Sequence, residues 1–303
     1  MTMQTVDSEL PECAICYETL AQDIALPCSC NVSYCARCWD RSLAQSLNSC
    51  GQARCPTCRA IVHVDFDTER ACLVFSRELD PFVFELSTAG PEDVKRVLEG
   101  RAQAIGVLRE KARPAQIKLL EQHGLAHPEF KDIARNFQTH LCSLSPSHLQ
   151  GCILSLGGAI DDCLDRADLV KRLQDIVNSN DQQNMAENGM ENRLACVLGN
   201  AFVAASREAP KCVCGSYLKR VSGRERACMC LRGLSPDSPH FEEAFSRVTM
   251  GNSSGCFCDL CTDNVPLSCH VWTCENENST VLHATSYDVC DGCFFRFTCG
   301  ESN

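Results

Sequence analysis

Lysine is scarce in this chain of 303 residues: there are seven lysines, and none precedes Lys95. Lysine and arginine together number 28 against 39 acidic residues, so the formal net charge is −11. Affinity for a phosphate backbone comes mainly from basic side chains. The composition therefore argues against a general nucleic-acid binder.

Long hydrophobic runs are also absent. No basic stretch followed by an apolar run opens the sequence, and the longest apolar stretch, near 194–205, is too short to span a bilayer. Without its cysteines the chain is only about 36% apolar, which is lean for a globular protein. We expect an intracellular protein of the cytoplasm or nucleus, with no membrane association, that is stabilised partly by something other than a hydrophobic core.

Cysteine, in contrast, is abundant. Nine of the 26 cysteines lie in residues 1–58 and twelve in 212–299, with five between these two dense ends. Paired thiols in a reducing compartment are more typical of metal sites than of disulfides. A zinc ion held by four thiolates carries a net charge of −2, which makes the folded chain still more acidic.

The amino-terminal cysteines form four closely spaced pairs. Tetrahedral zinc takes four thiolate or imidazole ligands, and a short turn between two cysteines brings both sulfurs to one ion. Eight ligands predict two structural zinc sites, from Cys13 and Cys16, Cys28 and Cys30, Cys35 and Cys38, and Cys55 and Cys58.

This segment, from CAIC through LPCSCNVSYCARCW to CPTCR, resembles a RING finger. The resemblance implies a cross-brace, in which Cys13, Cys16, Cys35 and Cys38 hold one zinc and Cys28, Cys30, Cys55 and Cys58 hold the other. Cys30 stands where most of the family has histidine, and the four residues between Cys30 and Cys35 exceed the usual two or three. Cys50 is an alternative to Cys30.

The RING resemblance implies an adaptor that docks a ubiquitin-charged conjugating enzyme. Ile15 and Pro56 match the family's apolar docking positions, and Trp39 is expected to join them, with Leu43 as the competing candidate. Arg59 matches the basic residue that contacts both the enzyme and ubiquitin, a task that suits the five donors of a guanidinium. Packing around zinc is the alternative role for Ile15 and Trp39, and a solvated surface side chain for Arg59.

Helical periodicity replaces paired cysteines in residues 65–140. Apolar residues recur at three- and four-residue spacing in the segment PEDVKRVLEGRAQAIGVLREKA, which predicts an amphipathic helix. Whether this helix is broken near Gly100 is left open. Pro114, Gly124 and Pro128 are expected to separate the shorter helices that follow.

Residues 141–178 predict two short helices. Pro146 starts the first, Gly157 and Gly158 end it, and Asp165 caps the second. Through Leu149, Ile153, Leu154 and CLDRADLVKRL the segment resembles a SAP-like helical hairpin, which recruits protein or DNA. Because Lys171 and Arg172 are its one basic pair, protein recruitment or scaffolding fits better.

Residues 179–210 are interpreted as a linker and a short helix, because NSNDQQNMAENGMEN at 178–192 lacks hydrophobic content. The unpaired cysteines of the middle region are expected to be small core residues. They are Cys72, Cys142, Cys152, Cys163 and Cys196.

The carboxy-terminal region, residues 211–303, begins with two Cys-x-Cys pairs. One zinc is expected to be shared by Cys212, Cys214, Cys228 and Cys230. The basic stretch between the pairs, SYLKRVSGRERA, is interpreted as a solvated hairpin tip.

The end of this region, through Tyr287, Asp288, Cys290, Cys293 and Phe294, resembles a ZZ-type zinc finger. That family's layout implies a zinc shared by Cys258, Cys261, Cys290 and Cys293. The second site departs from the layout, because the Cys-x-x-Cys pair expected at Cys274 is incomplete and the closing histidines are absent. The candidates for a degenerate substitute site are Cys269 or His270, Cys274, His283 and Cys299. ZZ fingers bind peptides. The carboxylates of Asp259, Asp263, Asp288 and Asp291 either select a basic or amino-terminal feature or are solvated.

The expected fold class is therefore zinc-stabilised modules at both ends, a cross-brace RING and a ZZ-like finger, joined by an all-α middle. The expected function is a RING-type ubiquitin ligase with two zinc ions in the RING and one to three at the carboxy-terminal end. Its partners would be a conjugating enzyme, ubiquitin and a protein substrate, with no covalent intermediate on this chain. A non-catalytic scaffold or peptide reader is the alternative. A RING-between-RING ligase is disfavoured, because about 150 residues of helical sequence separate the clusters and the intermediate module's ligand spacing is missing.

The scarcity of lysine generates the first prediction. If the ligase modifies itself, the linkages should fall on Lys95, Lys111 and Lys118, which are closest in sequence to the RING, and peptide mapping after a self-ubiquitination reaction should find them there. Modification mainly at Lys211 and Lys219 would instead place the carboxy-terminal module beside the active conjugate.

Overall fold

A computed structural model describes residues 11–20, 24–77, 90–178, 188–231, 233–283 and 286–300. The chain divides into two compact units. Unit 1 comprises Met1–Ala112 and Asn276–Ser286, and unit 2 comprises Arg113–Glu275 and Tyr287–Asn303. Within the described ranges, no helix has the length and apolar character that crossing a membrane requires.

Helix α1 (Ala36–Cys50) forms the centre of the first cysteine module. It begins at Cys35, whose thiol accepts a hydrogen bond from the backbone N–H of Cys38, and ends at Gly51 in the left-handed conformation (φ 74°). The helix is amphipathic and its buried side chains are Trp39, Leu43, Ala44 and Leu47.

A β-hairpin follows this module, where helix was predicted from residue 65. Strands β1 (Val62–Asp67) and β2 (Cys72–Arg77) pair antiparallel, with Val64 opposite Phe75. The Phe75 ring meets Trp39 edge-on, with 6.0 Å between ring centroids. The prediction was wrong here because β-branched and aromatic residues alternate along β1 (VHVDFD) and β2 adds Val74 and Phe75, residue types that favour a pleated surface.

Helix α2 (Pro91–Ala126) is continuous, so neither Gly100 nor Pro114 breaks it. Tertiary contacts hold its second half: the Gln116 side chain donates to the carbonyl of Lys211 (3.1 Å) and accepts from the N–H of Val213 (2.8 Å). Such contacts override the local preference of proline to end a helix.

Residues 276–286 belong to unit 1, although they lie far from its other residues in sequence. A single 3-10 turn, Val281–His283, packs against α1. The N–H of Val281 donates to Asp40 Oδ1 (2.8 Å), and Arg109 donates to the carbonyls of Leu282 and Ser286.

The helices of unit 2 include the predicted hairpin. After α3 (Glu129–Arg135) and α4 (Phe137–Leu141), α5 (Pro146–Ser155) and α6 (Arg166–Asn178) pack together, as expected. Asp165 accepts from the N–H of Asp168, and Asp168 accepts from the N–H of Asp165, so the two carboxylates cap α6 reciprocally. The core between the helices contains Leu141, Leu149, Ile153, Leu169, Leu173, Val177 and Val197.

Helix α7 (Asn188–Ala205) begins inside the predicted linker, so residues 188–192 are helical. The rest of that linker, 179–187, lies outside the described residues. Among the unpaired cysteines Cys196 is buried, whereas Cys72 and Cys142 are exposed, so the core prediction was wrong for those two. Cys152 and Cys163 are partly buried.

The carboxy-terminal part of unit 2 is mixed α/β. Strand β3 (Leu218–Ser222), helices α8 (Gly223–Cys230) and α9 (Phe241–Val248) and a 3-10 turn (Met250–Asn252) come first. Strands β4 (Ser253–Phe257), β5 (Asn264–Pro266), β6 (His270–Cys274) and β7 (Asp288–Cys290) and helix α10 (Asp291–Cys299) follow. β3, β6 and β7 form one antiparallel sheet in that order, and β4 pairs with β5.

The predicted fold class is right in its coarser form, since cysteine clusters occupy both ends of the chain and the middle is largely helical. The basic stretch SYLKRVSGRERA is not a solvated tip, however. It forms β3 and the start of α8, and Arg220 and Arg226 are buried in ion pairs. Each guanidinium makes charge-assisted hydrogen bonds to a carboxylate in place of its bonds to water.

Candidate metal centres and docking surface

Two four-thiol clusters lie in unit 1. Cys13, Cys16, Cys35 and Cys38 form the first, and Cys28, Cys30, Cys55 and Cys58 form the second. In each cluster the ligand atoms all lie within 4.8 Å of one another. The Cys16–Cys35 and Cys30–Cys55 sulfur pairs are 3.9 Å apart, close to the roughly 3.8 Å that tetrahedral zinc imposes with Zn–S bonds of about 2.3 Å.

The structure brings these eight thiols together in the interleaved sets that the RING resemblance implied. Cys50 is not among them: its thiol bonds to Ser46 and to the carbonyl of Gln52. Cys30, and not Cys50, is therefore the fourth thiol of the cluster with Cys28, Cys55 and Cys58.

A second pair of clusters involves unit 2. Cys258, Cys261, Cys290 and Cys293 form a complete four-thiol set, as the ZZ-like layout implied. Unit 2 supplies three further thiols to another cluster, from Cys212, Cys214 and Cys274, with 3.5 Å between the sulfurs of Cys214 and Cys274. The clusters are consistent with up to four zinc ions in the chain.

This arrangement corrects the expected partners of Cys212 and Cys214. Cys228 and Cys230 are exposed at the end of α8 and join no cluster within the described residues. Helix formation through 223–230 separates them from the first pair, and Cys230 instead accepts from Arg226 Nη1 at 2.9 Å.

The remaining unit 2 candidates of the degenerate site have other surroundings. Cys269 lies beside the thiol of Cys196, and Cys299 packs in the hydrophobic core of unit 2. His270 opens strand β6, and His283 belongs to unit 1, where it is completely buried. Among the unit 2 candidates for the degenerate site, Cys274 belongs to a cluster, the one that contains Cys212 and Cys214.

Four cysteine pairs share one backbone turn, which we call a knuckle. The residue after each pair has a left-handed backbone, and its N–H donates to the carbonyl of the first cysteine at 2.8–2.9 Å. The N–H of that first cysteine in turn donates to a carbonyl four or five residues further on. The residues in the left-handed position are Tyr17, Arg59, Gly215 and Thr262.

The knuckle at Cys212–Gly215 could have been found in the sequence. A glycine directly after the second cysteine is favoured where φ is positive, and Gly215 has φ 87°. The expected pairing with Cys228 and Cys230 rested on the Cys-x-Cys spacing alone and left this glycine out.

Two other cysteine pairs begin helices. Cys35 and Cys290 are the N-caps of α1 and α10, and each thiol accepts from the N–H of the second cysteine of its pair at 3.4 Å. Amide donors and a helix N-terminus both stabilise a thiolate.

Backbone amides already favour the thiolate at some positions. Burial alone would raise the pKa of Cys13, but N–H groups of Cys16, Cys35 and Ile15 outweigh burial and hold that pKa at about 6. The backbone at Ala60 lowers the pKa of Cys58 to about 7. Because zinc binds the thiolate, these lowered pKa values reduce the proton release that metal binding requires at the two ligands.

The predicted docking residues divide into exposed and buried groups. Ile15 is 40% exposed, Pro56 is half-buried, and Arg59 is exposed. Trp39 and Leu43 are completely buried, which favours the packing role for Trp39 and leaves neither residue available to a partner.

The predicted acidic recognition residues are mostly used internally. Asp288 and Asp291 are 2% and 3% exposed and pair with Arg226 and Arg220. Asp259 accepts from the N–H of Asp288 at 2.7 Å. Asp263 is the exposed member of the four.

Comparisons with protein-family models, with curated proteins and with solved structures find no match to this chain. Inference about its chemistry therefore starts from the clusters and their surroundings.

The geometry generates a prediction about metal content. Native mass spectrometry should find up to four zinc ions, and Cys274→Ser should lose one of them, because a cluster then lacks a thiolate. The matched variant Cys228→Ser should keep the full number, because Cys228 lies outside every cluster. Chelation should also unfold residues 11–77, since zinc-binding free energy is folding free energy in such modules.

The opposite pattern, with zinc lost from Cys228→Ser and kept in Cys274→Ser, would restore the pairing expected from sequence. Dispersed amide signals from residues 11–77 after metal removal would contradict zinc-dependent folding.

Proposed function

We propose that the chain is a RING-type ubiquitin ligase, in which the module at residues 11–77 docks a ubiquitin-charged conjugating enzyme. The observation that carries the proposal is the position of two exposed side chains. Ile15 lies within the knuckle of one interleaved cluster, and Arg59 ends the knuckle of the other. These are the positions at which the RING resemblance requires an apolar contact and a basic donor.

Arg59 is well held for that role. Its backbone is left-handed (φ 62°), and its N–H donates to the carbonyl of Cys55 at 2.9 Å, so the backbone from which the side chain projects is fixed. A planar guanidinium offers five donors, which allows simultaneous hydrogen bonds to a conjugating enzyme and to ubiquitin. Arg59 thereby favours the folded-back conjugate whose thioester is ready for attack.

The zinc ions have a structural role in this proposal. Both unit 1 clusters provide four thiols, and zinc with four protein ligands has no open position for water or substrate. The thioester chemistry therefore belongs to the conjugating enzyme, and no covalent intermediate forms on this chain. Unit 2, with its helical hairpin and carboxy-terminal module, is assigned to holding the protein substrate.

The alternative function, a peptide reader that recognises basic or amino-terminal features, has less support. Such recognition needs free carboxylates, whereas Asp288 and Asp291 are buried in ion pairs. A non-catalytic scaffold remains the second candidate, and ubiquitin discharge separates it from a ligase.

Ile15→Ala should abolish discharge of ubiquitin from a conjugating enzyme to free lysine, because it removes an apolar partner contact. Zinc content and melting temperature should stay unchanged, since the side chain is not a ligand. Leu125→Ala is the matched control: Leu125 is 75% exposed in unit 2 and should keep full activity. Equal discharge by wild type and Ile15→Ala across several conjugating enzymes would exclude the ligase.

Arg59→Ala should separate binding from activity. Loss of about 1.4 kcal/mol of transition-state stabilisation slows a reaction tenfold, so we expect discharge to slow by roughly tenfold or more. Affinity for the uncharged conjugating enzyme, measured by calorimetry, should barely change. Arg70→Ala, at an exposed arginine in the β1–β2 turn, is the control and should behave as wild type. If affinity and the rate of discharge fell by the same factor in Arg59→Ala, Arg59 would be a docking contact and would not stabilise the folded-back conjugate.

A further inference from the structure

Two buried Arg–Asp pairs flank the four-thiol cluster of Cys258, Cys261, Cys290 and Cys293. Arg220 and Arg226 come from the stretch that was expected to be solvated, and Asp288 and Asp291 lie on either side of Cys290. Each pair is bidentate, with N–O distances of 2.7–2.9 Å. All four side chains are at most 6% exposed.

The first pair, Arg220 and Asp291, lies at the two cysteines that begin α10, Cys290 and Cys293. Asp291 is the residue between Cys290 and Cys293 that opens α10. Its carboxylate accepts from Arg220 Nε (2.9 Å) and Nη2 (2.7 Å) and from Trp272 Nε1 (3.0 Å). Three donors from two neighbouring strands therefore fix the turn that aims both thiols at the metal.

The second pair joins the two halves of the cluster. Asp288, held by Arg226, lies two residues before Cys290, and its N–H donates to Asp259 Oδ2 at 2.7 Å. Its carbonyl accepts from the N–H of Asp259 at the same distance. Asp259 lies inside the knuckle pair Cys258 and Cys261, so the network links both pairs of ligands.

Charge neutralisation of the cluster does not explain these pairs, because each arginine is matched by its own carboxylate. Stability alone is also a weak explanation, since replacing a buried ion pair by packed apolar residues is often neutral or stabilising. The bidentate geometry instead fixes the orientation of each aspartate carboxylate relative to its arginine. Side chains that orient metal ligands commonly change metal affinity 10- to 100-fold when they are altered.

A glycine provides the space for Arg220. A Cβ added at Gly199 in α7 would lie 2.3–2.5 Å from three guanidinium atoms of Arg220. The same guanidinium donates to Asn200 Oδ1 and to the carbonyl of Cys196, so it is held on the α7 side as well.

We propose that Arg220 and Arg226 are positioning residues for a zinc ion at Cys258, Cys261, Cys290 and Cys293, acting through Asp291 and Asp288. They set the approach of the two cysteine pairs and so slow the release of this one zinc. The proposal depends on zinc at this cluster and is independent of ubiquitin transfer.

The test uses the full chain loaded with zinc, and a chromogenic chelator follows metal release. Gly199→Ala should speed release of one zinc by roughly tenfold or more, in line with the effect of outer-shell changes, because the new methyl displaces the guanidinium from Asp291. Gly151→Ala is the matched control. Gly151 lies in a different helix, α5, and a Cβ added there has no atom within 4 Å. A purely structural role for Arg220 would lower the melting temperature of Gly199→Ala, because the methyl group still displaces a buried guanidinium, but would leave the rate of zinc release unchanged.

Arg220→Lys provides a second variant that keeps the charge and loses the bidentate fork. It should also release one zinc faster, and the cobalt-substituted protein should show an altered tetrahedral ligand-field spectrum for one site in four. Unchanged release and spectrum in Gly199→Ala and Arg220→Lys would overturn the proposal. Unchanged zinc content in Cys290→Ser would instead refute zinc at this cluster, which keeps the two failures distinct.

Discussion

Convergence of thiols from distant parts of the chain on sites suited to one ion each is the constraint on which both cysteine modules depend. Close thiolates repel one another, and only a cation offsets that repulsion inside a small module with a lean core. The order of ligands makes the constraint global. In unit 1 the pair Cys28 and Cys30 lies between the two halves of the first cluster, and in unit 2 the pair Cys258 and Cys261 lies between Cys214 and Cys274. Closing either cluster of a module therefore closes a chain loop that contains ligands of the other.

The two modules also reuse the same local devices. In each, a knuckle faces a cysteine pair that begins a helix, and a large aromatic residue follows that pair directly: Trp39 after Cys38 and Phe294 after Cys293. Both aromatic side chains are fully buried, and both helices end at a left-handed glycine, Gly51 or Gly300. The metal thus fixes the start of the helix, and the aromatic residue fixes its face against the core. A module with few apolar residues gains a defined core from very few side chains.

Local patterns predicted those features whose cause is local. Cysteine spacing predicted two zinc sites in unit 1, the RING resemblance implied their ligand sets, and capping residues predicted the hairpin of α5 and α6. Features that depend on distant partners could not be predicted in this way. The helix α2 continues through Pro114 because Gln116 bonds to residues almost a hundred positions away, and Cys274 joins Cys212 across the sheet of β3 and β6. Arg220 and Arg226 have no signal at all in a single sequence, since their carboxylate partners lie more than 60 residues further on.

The knuckles connect this architecture to the proposed activity. A docking surface made of loops normally costs conformational entropy on binding, because each loop residue must be ordered. At Ile15 and Arg59 that ordering has already occurred during folding, since the cluster cysteines next to each residue and the backbone hydrogen bonds of each knuckle hold the chain there. The free energy of metal binding is thereby used to present an apolar and a basic side chain at fixed positions, although neither touches the metal. Closed zinc sites thus fit an adaptor, which needs a rigid surface, better than an enzyme that acts on substrate through the metal itself.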